Sequence, residues 1–204
     1  MEIDYYFIGM SPFVYLGHQA IVDVAAKHGA KLNYKPVDLM GVWAVSGAVP
    51  PAQRPEVRQR YRLLELQRVA DIRGLPLNLK PAHFPTNIAL ADQCVIALLQ
   101  TGEDPTAYMA SVFAGVWAEE KDMSDESVIA AKLTGAGFDA DAIITAAKSE
   151  DVAAIRTRNT KEAIAADVVG APAYVLNGEV FWGQDRIEYL DHALTTGRAP
   201  YTAG

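Results

Sequence analysis

Apolar residues recur along the chain with two different periods. Ile3 to Ile8 is rich in Tyr, Phe and Ile and reads as a strand. Ser11-Pro12 marks a helix start, a capping residue followed by proline at the first helical position. Phe13, Leu16, Ala20, Ile21 and Val24 then recur at helical spacing, and Gly29 supplies a stop. Lys31 to Asp38, around Leu32-Asn33-Tyr34-Lys35-Pro36-Val37, predicts a second strand. The opening is therefore a βαβ unit with a parallel strand pair. Residues 40–54, with Gly47 and Pro50-Pro51, predict a loop.

Helical periodicity dominates the next hundred or so residues. Pro55 opens a long helix to Arg73, closed by Gly74, with Val57, Tyr61, Leu64 and Ile72 along one side. Pro76 to Pro85 is irregular and proline-rich. Asn87 begins another helix, with Ala91, Cys94, Val95 and Leu98 on one face. Further helices are predicted at about 105–120, 125–134, 139–148 and 150–166. After Gly170 the strand pattern returns. Ala173–Leu176 and Glu179–Trp182 flank Asn177-Gly178, a strong hairpin signal, and a last helix runs from about Asp185 to Leu194.

Composition narrows the class. At about 150 residues per domain, 204 residues make one domain, or one domain carrying an insertion. Half the residues are apolar or aromatic and 21% are charged, as in soluble globular chains that bury about 70% of their unfolded surface. The net charge of -7 argues against a protein that grips nucleic acid. Arg54, Arg58, Arg60, Arg62, Arg68 and Arg73 do not share one stripe; they predict a solvated face with one or two anion contacts. Cys94 is the single cysteine, so an intramolecular disulfide and a Cys-rich zinc site are excluded. His18, His28 and His192 show no metal-ligand spacing, so no metal is expected. The start has no signal-peptide pattern, no apolar run spans a membrane, and Tyr201-Thr202-Ala203-Gly204 carries no retention signal. A soluble cytoplasmic protein is expected.

A βαβ half and a ββα half around a helical block is the thioredoxin-like plan, an α/β fold. It divides the chain into a thioredoxin-like part, 1–54 and 167–204, and a helical insertion at about 55–166. Gly170-Ala171-Pro172 leads into the third strand, where that plan places a cis-proline and leaves the preceding backbone free for an extended peptide ligand. The same tripeptide also suits an ordinary trans turn. Redox members carry C-x-x-C after the first strand; here that place reads Ser11-Pro12-Phe13-Val14. Disulfide exchange needs an attacking and a resolving thiol, and neither is there. Ser11 reads locally as a helix cap.

Several segments occur in order: Ser11-Pro12-Phe13-x-Tyr15-Leu16, Pro50-Pro51, Phe84-Pro85-x-Asn87, Asn159-Thr160, Gly170-Ala171-Pro172 and Phe181-Trp182-Gly183-Gln184-Asp185-Arg186. Together they resemble the 2-hydroxychromene-2-carboxylate isomerase family, which is related to kappa-class glutathione transferases and DsbA-type oxidoreductases. The resemblance covers nearly the whole chain, and Phe181 to Arg186 is its most specific block. It implies glutathione as cofactor and Ser11 as the contact to the glutathione sulfur. A helix N-terminus with a hydroxyl donor stabilises a thiolate, whose free thiol has a pKa of about 8.5.

By the same resemblance, Ala171 and Pro172 pair with the cysteinyl part of glutathione. Trp182, Gly183, Gln184 and Asp185 hold its glutamyl end, with Asp185 facing the ammonium and Gln184 the carboxylate. Each has an ordinary alternative: a helix cap for Asp185, core packing for Trp182, an acid partner for Arg186. Ala48, Val49, His83, Phe84 and Asn87 fall on the substrate side, where His83 reads as a donor, a proton shuttle or a plain loop histidine. Family members carry a lysine and an asparagine before Pro-Pro; here those positions are roughly Ala44 and Ala48, a departure beside an acidic substrate. The implied function is glutathione-dependent isomerisation of an aromatic-derived acid by thiolate addition, bond rotation and elimination, in a homodimer. A kappa-like transferase and a non-catalytic thioredoxin-like binding module are the alternatives.

Overall fold

In the computed structural model, which describes residues 1–202, the expected strands form one sheet. Ala203 and Gly204, the end of the expected thioredoxin-like part, lie outside the described residues. The strands are β1 (Glu2–Phe7), β2 (Lys31–Pro36), β3 (Ala173–Leu176) and β4 (Glu179–Trp182), in the order β2-β1-β3-β4. β1 and β2 run parallel, while β3 and β4 are antiparallel to their neighbours. The parallel pair forces a crossover, and α1 (Pro12–Lys27) is that crossover. The register sets Tyr5 opposite both Tyr34 and Tyr174, and the three rings meet in the core.

The helical block comprises α2 (Leu39–Ser46), α3 (Glu56–Arg73), α4 (Ala89–Gln100), α5 (Thr106–Trp117), α6 (Glu126–Gly135), α7 (Ala140–Ala147) and α8 (Glu150–Ala165). A single-turn 3-10 segment, Gln184–Arg186, leads into α9 (Ile187–Thr196). One core unites sheet and block: Phe7 of β1 meets Phe113 of α5 edge-on at 5.8 Å. Phe7, Leu16, Leu66, Leu98 and Phe113 are all buried, each contributing about 1.5–3 kcal/mol.

Two expectations needed correction, and a third gained a direction. Residues 40–54 are not simply a loop, because Leu39–Ser46 is helical. The Asp38 carboxylate caps it by accepting the Met40 N–H at 3.1 Å, and Gly47 ends it in the left-handed region. The helix starting at Asn87 instead starts at Ala89, and the Asn87 side chain accepts the Ala89 N–H at 3.2 Å. Val57, Tyr61, Leu64 and Ile72 do share one side of α3, yet they face solvent. The buried side of α3 is Leu66, Val69 and Ala70.

Candidate functional site

β1 ends in a turn that delivers the chain to α1. The Ser11 N–H donates to the Ile8 carbonyl at 3.0 Å, which closes this turn. Ser11 is extended and stands at the cap position, where its Oγ accepts the Val14 N–H at 3.4 Å. Pro12 follows at the first helical position, and the first turn of α1 carries no acidic residue. The positive end of the helix dipole is thus left uncompensated by its own side chains. Both readings of Ser11, cap and contact residue, are compatible with this geometry.

The Ala171–Pro172 peptide bond is cis. The Ser11 hydroxyl donates to the Ala171 carbonyl at 3.5 Å, although 160 positions separate the two residues. Among the described residues the Ala171 N–H has no backbone partner. Pro172 is buried, and its carbonyl accepts the Gly183 N–H at 2.9 Å, which draws the next turn alongside. Gly183 sits at φ +105°, and a Cβ there would lie 2.5 Å from Asp185 Oδ1. Only glycine makes this bend cheaply.

Beyond the bend, Gln184 is buried at 7% exposure. Its Cβ would sit 2.7 Å from a Cβ on Gly17, so α1 and this turn touch backbone to backbone. The Gln184 Oε1 accepts from Arg73 Nη2 at 3.5 Å, which engages its carbonyl end. Asp185 is exposed and pairs with Arg186 at 2.6 Å. Trp182 is 54% exposed, so it is not core. Its indole lies over Gly170, where a Cβ would come within 2.8 Å of Nε1. Trp182 and Arg186 also line a surface groove of about 450 Å³ with Tyr189, His192 and Arg198.

The residues assigned to the substrate side lie on other loops. Val49 is exposed, and its carbonyl accepts from Arg54 Nε at 2.9 Å. Ala48 is half-buried and Ala44 exposed. The Arg54 guanidinium lies over the Trp43 ring at 5.8 Å. His83 Nδ1 is 3.7 Å from Asp122 Oδ2; His83 is exposed and Asp122 half-buried. Phe84 packs on Trp117, with centroids 4.9 Å apart. Asn87 caps α4. Among the described residues, no hydrogen bond joins this group to Ser11.

Two neighbours of the site were not foreseen. Tyr15, buried in α1, donates to the Pro76 carbonyl at 2.8 Å and ties the helix to the chain after α3. Asp92 is buried on α4, and its carboxylate accepts the Gly9 N–H at 3.0 and 3.4 Å. An acid inside the stretch from Ile88 to Leu99, apolar except for Asp92 and Gln93, was the available signal. Cys94, two residues on, is buried, and burial pushes its thiol up to about 12. It stays a neutral thiol near pH 7. No group of side chains able to hold a metal occurs among the described residues.

A serine at the helix start, a cis-proline loop beside it and one sheet whose two strand pairs are separated along the chain by a helical block define a thioredoxin-like protein of the DsbA type. The DSBA-like thioredoxin domain matches residues 2–195. The chain belongs to this family, and within it is closely related to the 2-hydroxychromene-2-carboxylate isomerases. A 2-hydroxychromene-2-carboxylate isomerase of Pseudomonas putida is 32% identical over 95% of this chain and 94% of its own length. That of Sphingobium xenophagum is 28% identical over 94% of this chain and 97% of its own. A solved 2-hydroxychromene-2-carboxylate isomerase superposes with a TM-score of 0.82 at 30% identity, covering 96% of this chain and 95% of the other.

Proposed function

We infer that the protein is a glutathione-using isomerase of the 2-hydroxychromene-2-carboxylate type, acting on an aromatic-derived acid. The observation that carries this reading is the meeting of Ser11 with Ala171 at the N-terminus of α1, in a chain 32% identical to such an isomerase. The residues fit glutathione. The Ala171 N–H is free of backbone partners among the described residues, as an extended tripeptide requires. A hydroxyl sits where a sulfur would need a donor, and the protein's own thiol is buried elsewhere.

In this reading Ser11 donates its hydroxyl hydrogen to the sulfur in place of the long bond to Ala171. The dipole of α1 adds to the same charge stabilisation. Ala171 and Pro172 align the tripeptide backbone. Asp185 receives the glutamyl ammonium, exchanging its contact with Arg186, and Trp182 flanks that end. The Gln184 amide is held by packing against α1, with Arg73 fixing its carbonyl end. When bound, glutathione supplies a thiolate that adds to a conjugated carbon, makes the bond rotatable and leaves unchanged. The protein's contribution is orientation and charge stabilisation.

Ala48, Val49, His83, Phe84 and Asn87 are proposed to face the acid. With no cation at Ala44 and no amide at Ala48, the substrate carboxylate is held by other groups of the protein. We also propose a homodimer in the cytoplasm with no nucleic-acid partner; the net charge of -7 supports the last point. Among the described residues no helix is long and apolar enough to cross a membrane. Calorimetric titration with glutathione tests the site. Saturable one-to-one binding is expected, and no heat at millimolar-order glutathione would overturn the assignment.

A further inference from the structure

Ser11 is positioned by the turn that precedes it, and that turn is held from beneath by one side chain. Gly9 lies in the turn, two residues before Ser11, and is buried. Its N–H points into the core and meets both oxygens of Asp92 at 3.0 and 3.4 Å. The fit leaves no slack. A Cβ on Gly9 would lie 2.7 Å from Asp92 Oδ1 and 3.0 Å from Ile88 Cγ1. The carboxylate is 1% exposed and sits on α4, a helix otherwise buried by apolar side chains.

A buried carboxylate is retained only where something compensates it. The ionisable groups that act on Asp92 are few. Burial drives its proton affinity up, whereas Arg156 of α8 and the Gly9 N–H draw it down. The Arg156 Nη2 donates to the Val37 carbonyl at 3.0 Å, but its Nε is buried without a partner among the described residues. Cys94 on the same helix and Tyr108 of α5 are neutral neighbours whose own ionisation Asp92 opposes. The cations of β2 and α7 are engaged elsewhere: Lys31 near Glu2, Lys35 with Asp4 and Glu162, Lys148 with Glu126. Asp141 of α7 is exposed. The net result pushes the Asp92 carboxyl up to about 7.

We propose that Asp92 is a positioning residue for the glutathione site: it fixes Gly9, and through that turn the hydroxyl of Ser11, while its charge opposes a second negative charge at Ser11. The bond and the charge act in opposite directions. The bond preorganises the donor that meets the sulfur. The ionised carboxylate disfavours a thiolate at the other end of the same short turn. Protonation of Asp92 therefore favours the bound thiolate, and the two titrations are coupled. This inference rests on the reading of Ser11 as the sulfur contact.

The test is the pH titration of glutathione bound to the full-length protein, followed by ultraviolet thiolate absorbance. It is run on wild type, Asp92→Asn, Asp92→Leu and Ser11→Ala. Asp92→Asn keeps an acceptor for the Gly9 N–H and removes the charge. It is expected to lower the thiol midpoint by about half a unit or more, with glutathione affinity within about threefold of wild type. Asp92→Leu removes the acceptor as well, and is expected to weaken glutathione binding about tenfold or more. Should Asp92→Leu fail to fold, the Asn variant still decides. A wild-type midpoint in Asp92→Asn, with Ser11→Ala shifted upward, overturns the role of Asp92 and leaves Ser11 standing. A wild-type midpoint in Ser11→Ala removes Ser11 as the sulfur contact, and this inference falls with it.

Discussion

In the proposed site Ser11 carries two loads at once, and its removal separates them. Ser11→Ala loses a helix cap, which costs about 1 kcal/mol of stability. It also loses the hydroxyl offered to the sulfur, a charge-assisted bond worth about 1.5–3 kcal/mol, so kcat/KM should fall roughly ten- to hundredfold. Steady-state kinetics beside urea denaturation distinguishes the two losses. Two buried groups contribute to the pH dependence of stability with opposite signs. The Asp92 carboxyl rises from 3.8 to about 7, so its contribution is full below its unfolded value and is lost as pH rises through about 7. The His18 imidazole falls from 6.5 to about 4, since burial penalises its charged form. Its contribution is full above 6.5 and is lost as pH falls through about 4. Asp92→Asn should therefore gain stability over wild type on going from about pH 5 to about pH 8, by on the order of 2–4 kcal/mol. His18→Gln should flatten the acid limb, and urea midpoints across pH check both. An unchanged difference between wild type and Asp92→Asn at the two pH values would contradict the assignment. Ser11 was legible because Ser-Pro after a strand is a local pattern. Asp92 was not, because its partner, the Gly9 N–H, lies 83 positions away.

Among the elements, α1 is the axis on which the site turns. Its N-terminus meets the Ala171 loop through Ser11, and its Gly17 meets the Gln184 turn. Gly17→Ala would place a methyl 2.7 Å from Gln184 Cβ and 3.4 Å from the buried Tyr174 hydroxyl. Neither neighbour is the free end of a flexible chain, so the turn must shift. Such overpacking costs about 1–3 kcal/mol, and the KM for glutathione should rise more than kcat falls. A KM unchanged by this substitution would show that the turn carries no part of the glutathione site. The strands and most helices were legible from periodicity and caps, since Ser11-Pro12, Gly74 and Asn177-Gly178 all act locally. α2 was missed because Leu39 to Ser46 is apolar almost throughout and shows no period, and Gly47 reads equally as loop. α3 shows the limit of periodicity: its clear apolar stripe lies on the exposed side, and its buried side is narrow.

Across the whole molecule, the sheet fixes one half of the proposed site and the helical block shapes the other. β1 and β3 are neighbours, so the start of α1 and the cis-proline loop fall together at one end of the sheet. The block supplies Arg73 behind Gln184 and Asp92 beneath Gly9. This division explains what sequence could tell. The thioredoxin-like half carries its signals in contiguous motifs. The contacts that the block makes to it depend on side chains brought together from 83 and 111 positions apart. The single cysteine gains its meaning at this scale too. A fold shared with thiol oxidoreductases keeps its own thiol buried and neutral, which leaves the sulfur to come from glutathione. The most direct measurement follows 2-hydroxychromene-2-carboxylate isomerisation while total reduced glutathione is assayed before and after many turnovers. The rate should rise with glutathione to saturation and the glutathione should be recovered in full. A rate at background whatever the glutathione, or one glutathione consumed per product formed, would contradict the account.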